Sequence, residues 1–330
     1  MGLSDYIKNR IGVLDGAVGT FIQQYKLVEN DFRGERFRNV SQQLSGNFDV
    51  LNLTCPHIVE DIHRRYLRAG ADMITTNTFG SQRVRQLCFG LETESDEMAY
   101  EGARIARHAA EEFSTMSHPR WVCGSIGPVR MQGDRRKTDF RHELMEVYAQ
   151  QTGALIEGGV DTILIETIVD VENAKVAIEA AMNVMERKHK NVPIMLSATL
   201  DNASGKTLHG QSIDDFLQFA YEYPVFSIGF NCSFGGKDMK RNLKQLAEQS
   251  PCCISACPSA GMPDATGTYR LRPHDWAMAI ADFASEGMVN MVGGCCGTDD
   301  SFISLLPPIT RGKSPFVPVG ATSGEQIARL

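Results

Sequence analysis

The sequence predicts an α/β protein that forms a single (β/α)8 barrel, and three observations lead to this prediction. Short apolar runs alternate with longer amphipathic stretches, the alternation occurs eight times, and residues with acid or metal-binding chemistry stand directly after several apolar runs. With 330 residues, 42% of them hydrophobic, the chain can bury one large core or two ordinary ones. Eight strand and helix pairs are the number that a closed barrel requires.

The predicted strands are nearly continuous in apolar residues, as parallel strands covered by helices must be. They span residues 11–15, 72–76, 121–126, 162–166, 194–198, 225–230, 252–256 and 288–292. Gly16 and Gly19 follow the first strand and suit a sharp turn into a helix. A doubly wound open sheet is the weaker alternative, because the Gly-x-Gly-x-x-Gly pattern of that fold is absent after the first strand.

The predicted helices carry apolar residues at helical spacing between these strands. The first begins at Pro56, repeats apolar residues at positions 58, 62 and 66, and ends at Gly70. The others are expected at residues 99–113, 143–157, 171–185, 213–221, around 243–246, and at 276–284.

Two regions stand outside this alternation. Residues 29–52 form an insertion rich in charged and turn residues, and a loop of this length inside a compact unit is usually functional. Residues 311–330 begin with a Gly- and Pro-containing stretch typical of an extended linker. We therefore expect the barrel at residues 1–310 and an extended C-terminal linker or tail at 311–330.

The composition excludes several classes of function. A net charge of −7 and a pI near 5.7 argue against a nucleic-acid surface, and no apolar run approaches the length of a membrane helix. Nine cysteines, an odd number scattered along the chain, are not the pattern of a secreted disulfide framework. We therefore expect reduced thiols and a cytoplasmic protein without nucleic-acid or membrane partners.

Two adjacent cysteines, Cys295 and Cys296, stand in a glycine-rich loop directly after the eighth predicted strand. Glycine allows backbone torsions that turn both sulfurs toward one centre, whereas a regular strand would point them to opposite faces. Cys232 follows the sixth strand and offers a third thiolate. Three thiolates with an open fourth position are typical of a catalytic zinc site. The alternatives are packing in the core and a vicinal disulfide, and a reducing compartment argues against the second.

Acidic residues end two other predicted strands, Asp15 the first and Glu166 the fourth. The C-terminal ends of the strands converge on one face of a (β/α)8 barrel. Both acids and the three cysteines are therefore expected in one pocket. The structural alternative for Asp15 is capping of the N-terminus of the following helix.

Several segments resemble the zinc-dependent homocysteine S-methyltransferases, most closely the branch that includes the N-terminal homocysteine-binding domain of cobalamin-dependent methionine synthase. They are residues 15–20 (Asp-Gly-Ala-Val-Gly-Thr), 31–37 (Asp-Phe-Arg-Gly-Glu-Arg-Phe), 69–72, 76–79, 165–167, 231–232 and 293–298 (Gly-Gly-Cys-Cys-Gly-Thr). The resemblance covers roughly residues 11–308. It implies a (β/α)8 barrel that binds zinc through Cys232, Cys295 and Cys296.

The resemblance also implies the substrate-binding residues. Asp15 and Glu166 correspond to the acids that hold the amino group of homocysteine, and Gly16 and Asn231 are expected among the other substrate-binding residues.

Two positions depart from the family pattern. The second strand of the family commonly ends in Glu-Thr-Asn-Thr-Phe, but Thr75 replaces that glutamate here, which predicts an effect on specificity. Cys257 stands where relatives often carry histidine, and we expect it to pack rather than to bind metal.

The reaction that the resemblance implies is methyl transfer to the thiol of homocysteine, which gives methionine. A free thiol, with a pKa of about 8.5, is mostly protonated near neutral pH, and coordination to zinc ionises it. The expected methyl donor is methylcobalamin on a separate domain or protein, with methyltetrahydrofolate as the ultimate donor. Corrinoid-binding and folate-binding methyltransferase domains or proteins are the expected partners, because no Asp-x-His-x-x-Gly cobalamin segment and no second barrel are visible in the sequence.

Two alternatives stay open. The first is a standalone enzyme that uses betaine or S-methylmethionine, although such relatives usually lack the segment at residues 31–37. The second is a catalytically silent zinc module that docks a corrinoid protein.

Overall fold

The computed structural model of the protein describes residues 2–130, 138–201, 203–232, 236–265 and 267–320. Eight parallel strands within these residues form one sheet. They are β1 (Gly12–Val13), β2 (Met73–Thr75), β3 (Trp121–Ile126), β4 (Thr162–Ile168), β5 (Ile194–Ala198), β6 (Ser227–Asn231), β7 (Cys253–Cys257) and β8 (Met291–Val292).

The sheet curves round until its first and last strands meet. Each strand from β2 to β8 pairs in parallel with its neighbour in sequence, and β1 pairs with β8 through Gly12 and Met291. A single parallel bridge between Leu14 and Met73 joins β1 to β2 and completes the ring. The predicted (β/α)8 barrel is therefore confirmed, and the C-terminal ends of all eight strands lie on one face.

Helices surround this barrel, and all seven predicted helices are present. In chain order the helices are α1 (Leu3–Asn9), α2 (Val18–Gln24), α3 (Glu29–Arg33), α4 (Leu51–Thr54), α5 (Pro56–Ala69), α6 (Arg83–Gln86), α7 (Ser95–Phe113), α8 (Thr138–Glu157), α9 (Val171–Lys188), α10 (Ile213–Glu222), α11 (Gly236–Ala247), α12 (Pro273–Ser285), α13 (Asp300–Ile303) and α14 (Leu306–Thr310). The helices that the sequence did not predict have four to seven residues, too few to give a periodic apolar pattern. Gly70 ends α5 in the left-handed conformation, with φ of 102°.

The apolar core has two layers, because alternate residues of each strand point to opposite sides. The larger cluster lies between the strands and the helices. The smaller one fills the barrel interior toward its N-terminal end, and its members on or next to the strands are Leu14, Met73, Trp121, Cys123, Leu164, Met195, Phe226, Cys253 and Met291. Among the described residues the barrel interior is therefore packed below the strand ends, and space inside the barrel lies toward the C-terminal face.

Six of the eight strands differ from their predicted bounds by one to three residues at an end, and only those at 121–126 and 194–198 keep both bounds. The eighth strand begins at Met291 rather than at residue 288, because Asn290 bonds with both its backbone and its side chain to Ile254. The fourth strand continues past Glu166 to Ile168, with a register irregularity after Ile165. Apolar composition alone does not show where such hydrogen bonding begins or ends.

The insertion at residues 29–52 is held together by its own charged side chains. Arg33 forms an ion pair with Glu29 at 2.7 Å, and Glu29 in turn accepts the backbone N–H groups of Leu44 and Ser45. Phe32 and Phe37 are buried. The charged Asp-Phe-Arg-Gly-Glu-Arg-Phe segment therefore stabilises the loop.

Asp72, at the N-terminal end of the barrel, joins several elements through its carboxylate. It accepts hydrogen bonds from the Tyr6 hydroxyl at 2.8 Å and from the Val13 N–H at 2.9 Å. The Arg120 guanidinium lies 3.2 Å from the same carboxylate with its side chain only 9% exposed, and His118 Nε2 lies 2.6 Å away. Asp72 thus connects α1, β1 and the start of β3 on the face opposite the pocket.

We expect Asp72→Ala to lower the free energy of unfolding by about 3 to 5 kcal/mol, because it leaves the buried Arg120 without its carboxylate. Urea unfolding measures this change. Asp161→Ala is the matched control, since Asp161 also joins an arginine, Arg107, to a strand N–H but is more exposed. An equal loss in both variants would contradict the role of burial.

Residues 311–320 lie along this same N-terminal end without forming a helix or strand. The Phe316 side chain is buried and its N–H donates to the Val289 carbonyl, while the Val319 N–H donates to Ser250. Residues 321–330 of the predicted tail lie outside the described residues, and the division at residue 310 stays a prediction. No helix of the described residues combines the length and apolar character needed to cross a bilayer.

Candidate metal and substrate site

Three cysteine sulfurs meet on the C-terminal face of the barrel. Cys232 follows β6, and Cys295 and Cys296 follow β8. The Sγ atoms of Cys232 and Cys296 are 3.6 Å apart, and all three sulfurs lie within 4.8 Å of one another. A tetrahedral ion with zinc-to-sulfur distances of about 2.3 Å places its sulfurs roughly 3.8 Å apart. The donor set and spacing therefore fit such an ion, and no other group of this kind occurs among the described residues.

The backbone around the sulfurs is fixed by long-range contacts. Cys232 has a left-handed backbone with φ of 57°, and its N–H donates to the Cys257 carbonyl at 3.2 Å. The Cys295 N–H donates to Pro258 at 3.1 Å, and the Cys296 carbonyl accepts from Ala260 at 2.8 Å. The loop after β7 therefore holds both halves of the cysteine cluster in place.

Gly293 is required for the close approach of this loop to the end of the first strand. A Cβ atom there would lie 2.6 Å from the Leu14 Cβ atom and 2.9 Å from the Asp15 carbonyl oxygen. The N–H of the next residue, Gly294, donates to the same carbonyl at 2.9 Å. Gly293 therefore allows the two adjacent cysteines to sit directly beside the end of the first strand.

Asn231 orients the sulfur cluster from the end of β6. Its side-chain oxygen accepts the Ser197 hydroxyl at 2.8 Å and the Thr167 N–H at 3.1 Å. Its nitrogen lies 3.6 Å from the sulfur of Cys232 and 3.8 Å from that of Cys295. The amide is thereby fixed from one side and donates toward the sulfurs on the other.

The three thiols influence one another's ionisation, because the hydrogen bonds and charge of each sulfur change the pKa of the others. Hydrogen bonds from Cys232 and Cys295 lower the pKa of Cys296 to about 3. The corresponding bonds raise the pKa of Cys295 well above its ordinary value. Full ionisation of all three sulfurs therefore requires a cation, as expected for a metal-binding cluster.

Asp15 lies at the end of the first strand and is 2% exposed. Its Oδ2 accepts the Thr75 N–H at 2.7 Å, and the Thr75 hydroxyl lies 3.0 Å from Oδ1. Burial raises the pKa of Asp15 well above its ordinary value, and the bonds from Thr75 oppose that rise. The carboxylate does not cap α2, whose N-cap is Ala17 without a side-chain bond. The capping alternative for Asp15 is therefore wrong.

Glu166 projects into the same region from β4. Its carboxylate accepts a hydrogen bond from the Ser125 hydroxyl on β3. Burial raises the pKa of Glu166 to about 7, although the Ser125 bond opposes the rise and the charge of Cys296 adds to it. Thr167, the next residue, has φ of 58° at the strand irregularity. A bulge of this kind redirects side chains at the rim of a barrel.

A cavity of about 460 Å³ brings these groups together. All seven residues that the sequence predicted for the site line it, namely Asp15, Gly16, Glu166, Asn231, Cys232, Cys295 and Cys296. Two acids and three sulfurs lining one cavity suit a small molecule that carries both an amino group and a thiol.

Comparison with known sequences identifies the family of this chain. The family model described as homocysteine S-methyltransferase matches residues 12–307 of this chain. The chain belongs to that family.

Solved structures agree with this fold. The oxidized form of the homocysteine methyltransferase MmuM from Escherichia coli is 21% identical, covers 93% of this chain and 98% of its own, and superposes with a TM-score of 0.71. The metallated form of the same protein is 21% identical over the same shares of both chains, with a TM-score of 0.69. At this identity the likeness shows the shared barrel.

Gly16 lies where the cavity wall has no room for a side chain. A Cβ atom at this position would lie 2.8 Å from both the Tyr66 hydroxyl and the Thr298 hydroxyl. Tyr66 is buried and its hydroxyl contacts the carbonyls of Ala17 and Thr298. The cavity wall beside Asp15 is therefore formed by backbone.

The second departure from the family pattern, Cys257, packs against the interior cluster of the barrel. It lines the cavity but does not belong to the three-sulfur group. Burial raises the pKa of its thiol well above the ordinary value. This supports the expectation that it packs as a neutral side chain.

The sequence prediction missed four residues of this site. Ser125 and Ser197 support Glu166 and Asn231, and Thr167 contacts Asn231. A polar residue near the C-terminal end of an otherwise apolar strand is the signal that could have indicated all three. Tyr269 lies in the loop after β7, where its ring would collide with a Cβ atom at Gly297. No pattern in the sequence distinguishes it.

Proposed function

We propose that this chain transfers a methyl group to the thiol of homocysteine, in a zinc-dependent reaction that gives methionine. The observation that carries the proposal is one cavity lined by the three-sulfur group of Cys232, Cys295 and Cys296 and by the acids Asp15 and Glu166. Membership of the homocysteine S-methyltransferase family supports homocysteine as the substrate.

The two acids are assigned to the substrate ammonium. Asp15 and Glu166 repel each other electrostatically, and the charge of Glu166 contributes to the raised pKa of Asp15. A cation between two partly desolvated carboxylates relieves this repulsion. The ammonium group of homocysteine is such a cation, so the acids would orient the substrate with its thiol toward the cysteines.

The three cysteines are assigned to zinc. Zinc held by three thiolates, when bound, acts as a Lewis acid that keeps the substrate sulfur ionised at neutral pH. Asn231 would hold two of these thiolates in position through its side-chain nitrogen. Cys296 is exposed, so the cluster faces the open mouth of the cavity, where a methyl donor would enter.

The donor is assigned to methylcobalamin on a separate domain or protein, recharged from methyltetrahydrofolate. The support is the resemblance of residues 31–37 to methionine synthases, together with the position of the insertion. Gly46, Phe48 and Asp49, near its end, line the cavity. Corrinoid-binding and folate-binding domains or proteins are the partners that this assignment requires.

Single-turnover methionine formation tests the proposal. Zinc-loaded protein is mixed with homocysteine and, in separate vessels, with free methylcobalamin, betaine or S-methylmethionine. We expect methionine with methylcobalamin alone. If only betaine or S-methylmethionine gives methionine, the assigned donor is wrong and the proposed reaction stands. If no donor gives methionine, the result favours a docking module that has no catalytic activity.

A further inference from the structure

Thr75 has two hydrogen-bond donors, its N–H and its hydroxyl, and both contact the Asp15 carboxylate. Its N–H lies 2.7 Å from Oδ2, and its hydroxyl lies 3.0 Å from Oδ1 and 3.1 Å from Oδ2. Thr75 is the last residue of β2, directly after the single bridge that joins β1 to β2. If the pairing of β1 with β2 continued, the Thr75 N–H would donate to a backbone carbonyl of the first strand. Here it donates to the Asp15 carboxylate instead.

The remaining surroundings of Asp15 leave part of its carboxylate free. A carboxylate has about four lone-pair sites, and Thr75 supplies two hydrogens. The main influences on its pKa are burial, the two bonds from Thr75, the charge of Glu166 and its own backbone N–H, and none of these is a basic side chain. Asp15 lines the cavity, so its free lone pairs are available to a cation that enters there.

We propose that Thr75 is a positioning residue, which holds the Asp15 carboxylate in the orientation that accepts the substrate ammonium. This inference rests on the proposed function. A threonine is suited to the task because its branched side chain has few rotamers and its hydroxyl donates. A glutamate at this position would offer no side-chain donor at neutral pH and would add a third negative charge beside Asp15 and Glu166.

The test compares Thr75→Val with the wild type and with Thr75→Ser. Valine matches threonine in shape and keeps the N–H bond but lacks the hydroxyl, whereas serine keeps the hydroxyl. Calorimetry on zinc-loaded protein measures binding of L-homocysteine and of 4-mercaptobutanoate, which has the thiol and carboxylate but no amino group. Single-turnover reactions with methylcobalamin, run over a range of homocysteine concentrations, separate the half-saturating concentration from the maximal rate.

We expect Thr75→Val to weaken homocysteine binding about 10-fold, as the loss of one hydrogen bond to a charged group does. Binding of 4-mercaptobutanoate and the maximal rate should stay unchanged, and Thr75→Ser should bind homocysteine within about threefold of the wild type. Equal weakening for both thiols, or unchanged homocysteine binding, would overturn the inference and leave the proposed function standing. A wild type that binds no homocysteine would overturn both.

Discussion

Replacement of Cys232 by alanine is expected to abolish zinc binding and methyl transfer together. The sulfur of Cys232 lies 3.6 Å from that of Cys296, and it is the one sulfur of the cluster that comes from β6 rather than from the loop after β8. Two adjacent cysteines cannot complete a three-thiolate site by themselves. Metal content after dialysis, measured by mass spectrometry, gives the first result, and single-turnover methionine formation gives the second.

Cys257→Ala is the matched control for this variant. Cys257 lines the same cavity and its carbonyl accepts the Cys232 N–H, but its sulfur stands outside the three-sulfur group. Its alanine variant should keep one zinc per chain and lose stability only through the cavity that it leaves. A Cys232→Ala protein that kept both zinc and activity would contradict the assignment of the metal site. Loss of zinc in Cys257→Ala would show that the metal site also depends on Cys257.

Glu166→Gln is expected to weaken homocysteine binding about 100-fold and to stabilise the substrate-free protein at neutral pH. The weaker binding follows from the loss of the partly buried carboxylate that we assign to the substrate ammonium. The gain in stability follows from the pKa of Glu166, which burial raises from 4.5 to about 7. Between these values the folded protein keeps a proton that the unfolded chain releases. The free energy of unfolding therefore falls as the pH rises.

The size of this change in the free energy of unfolding, and the pH range in which it occurs, follow from the pKa of Glu166. Each pKa unit corresponds to about 1.4 kcal/mol, so the wild type should lose roughly 3 kcal/mol between pH 4.5 and pH 7 through this group. Glutamine does not titrate, and the variant should lack that slope. Urea unfolding at pH 5 and pH 8 measures the difference between the two proteins. An equal pH dependence in both would show that burial does not raise the pKa of Glu166.

Glu157→Gln serves as the control for the substitution itself. Glu157 pairs with Lys188 on the surface, and its side chain is 60% exposed. Exposed ion pairs contribute about 0 to 1 kcal/mol. Its variant should therefore retain the wild-type pH dependence and homocysteine affinity.

Much of the barrel could be predicted because its strands are apolar runs of the right length. The runs at 121–126 and 194–198 match β3 and β5 at both ends. The eighth strand was placed three residues too early because Met288 and Val289 are as apolar as the residues that follow. Their burial arises from packing outside the sheet, with Val289 bonded to Phe316. Periodicity does not separate these two environments.

Seven of the residues that line the candidate site could be predicted from the sequence alone. Glycines beside Cys295 and Cys296, and acids at the ends of strands one and four, are local patterns, and barrel topology brings strand ends to one face whatever their separation along the chain. Tertiary structure decided the partners of these groups. Thr75 on Asp15, Ser125 on Glu166 and Asn231 on the sulfurs are contacts between different strands or loops. Such contacts depend on strand register and side-chain direction, which exist only once the strands have paired.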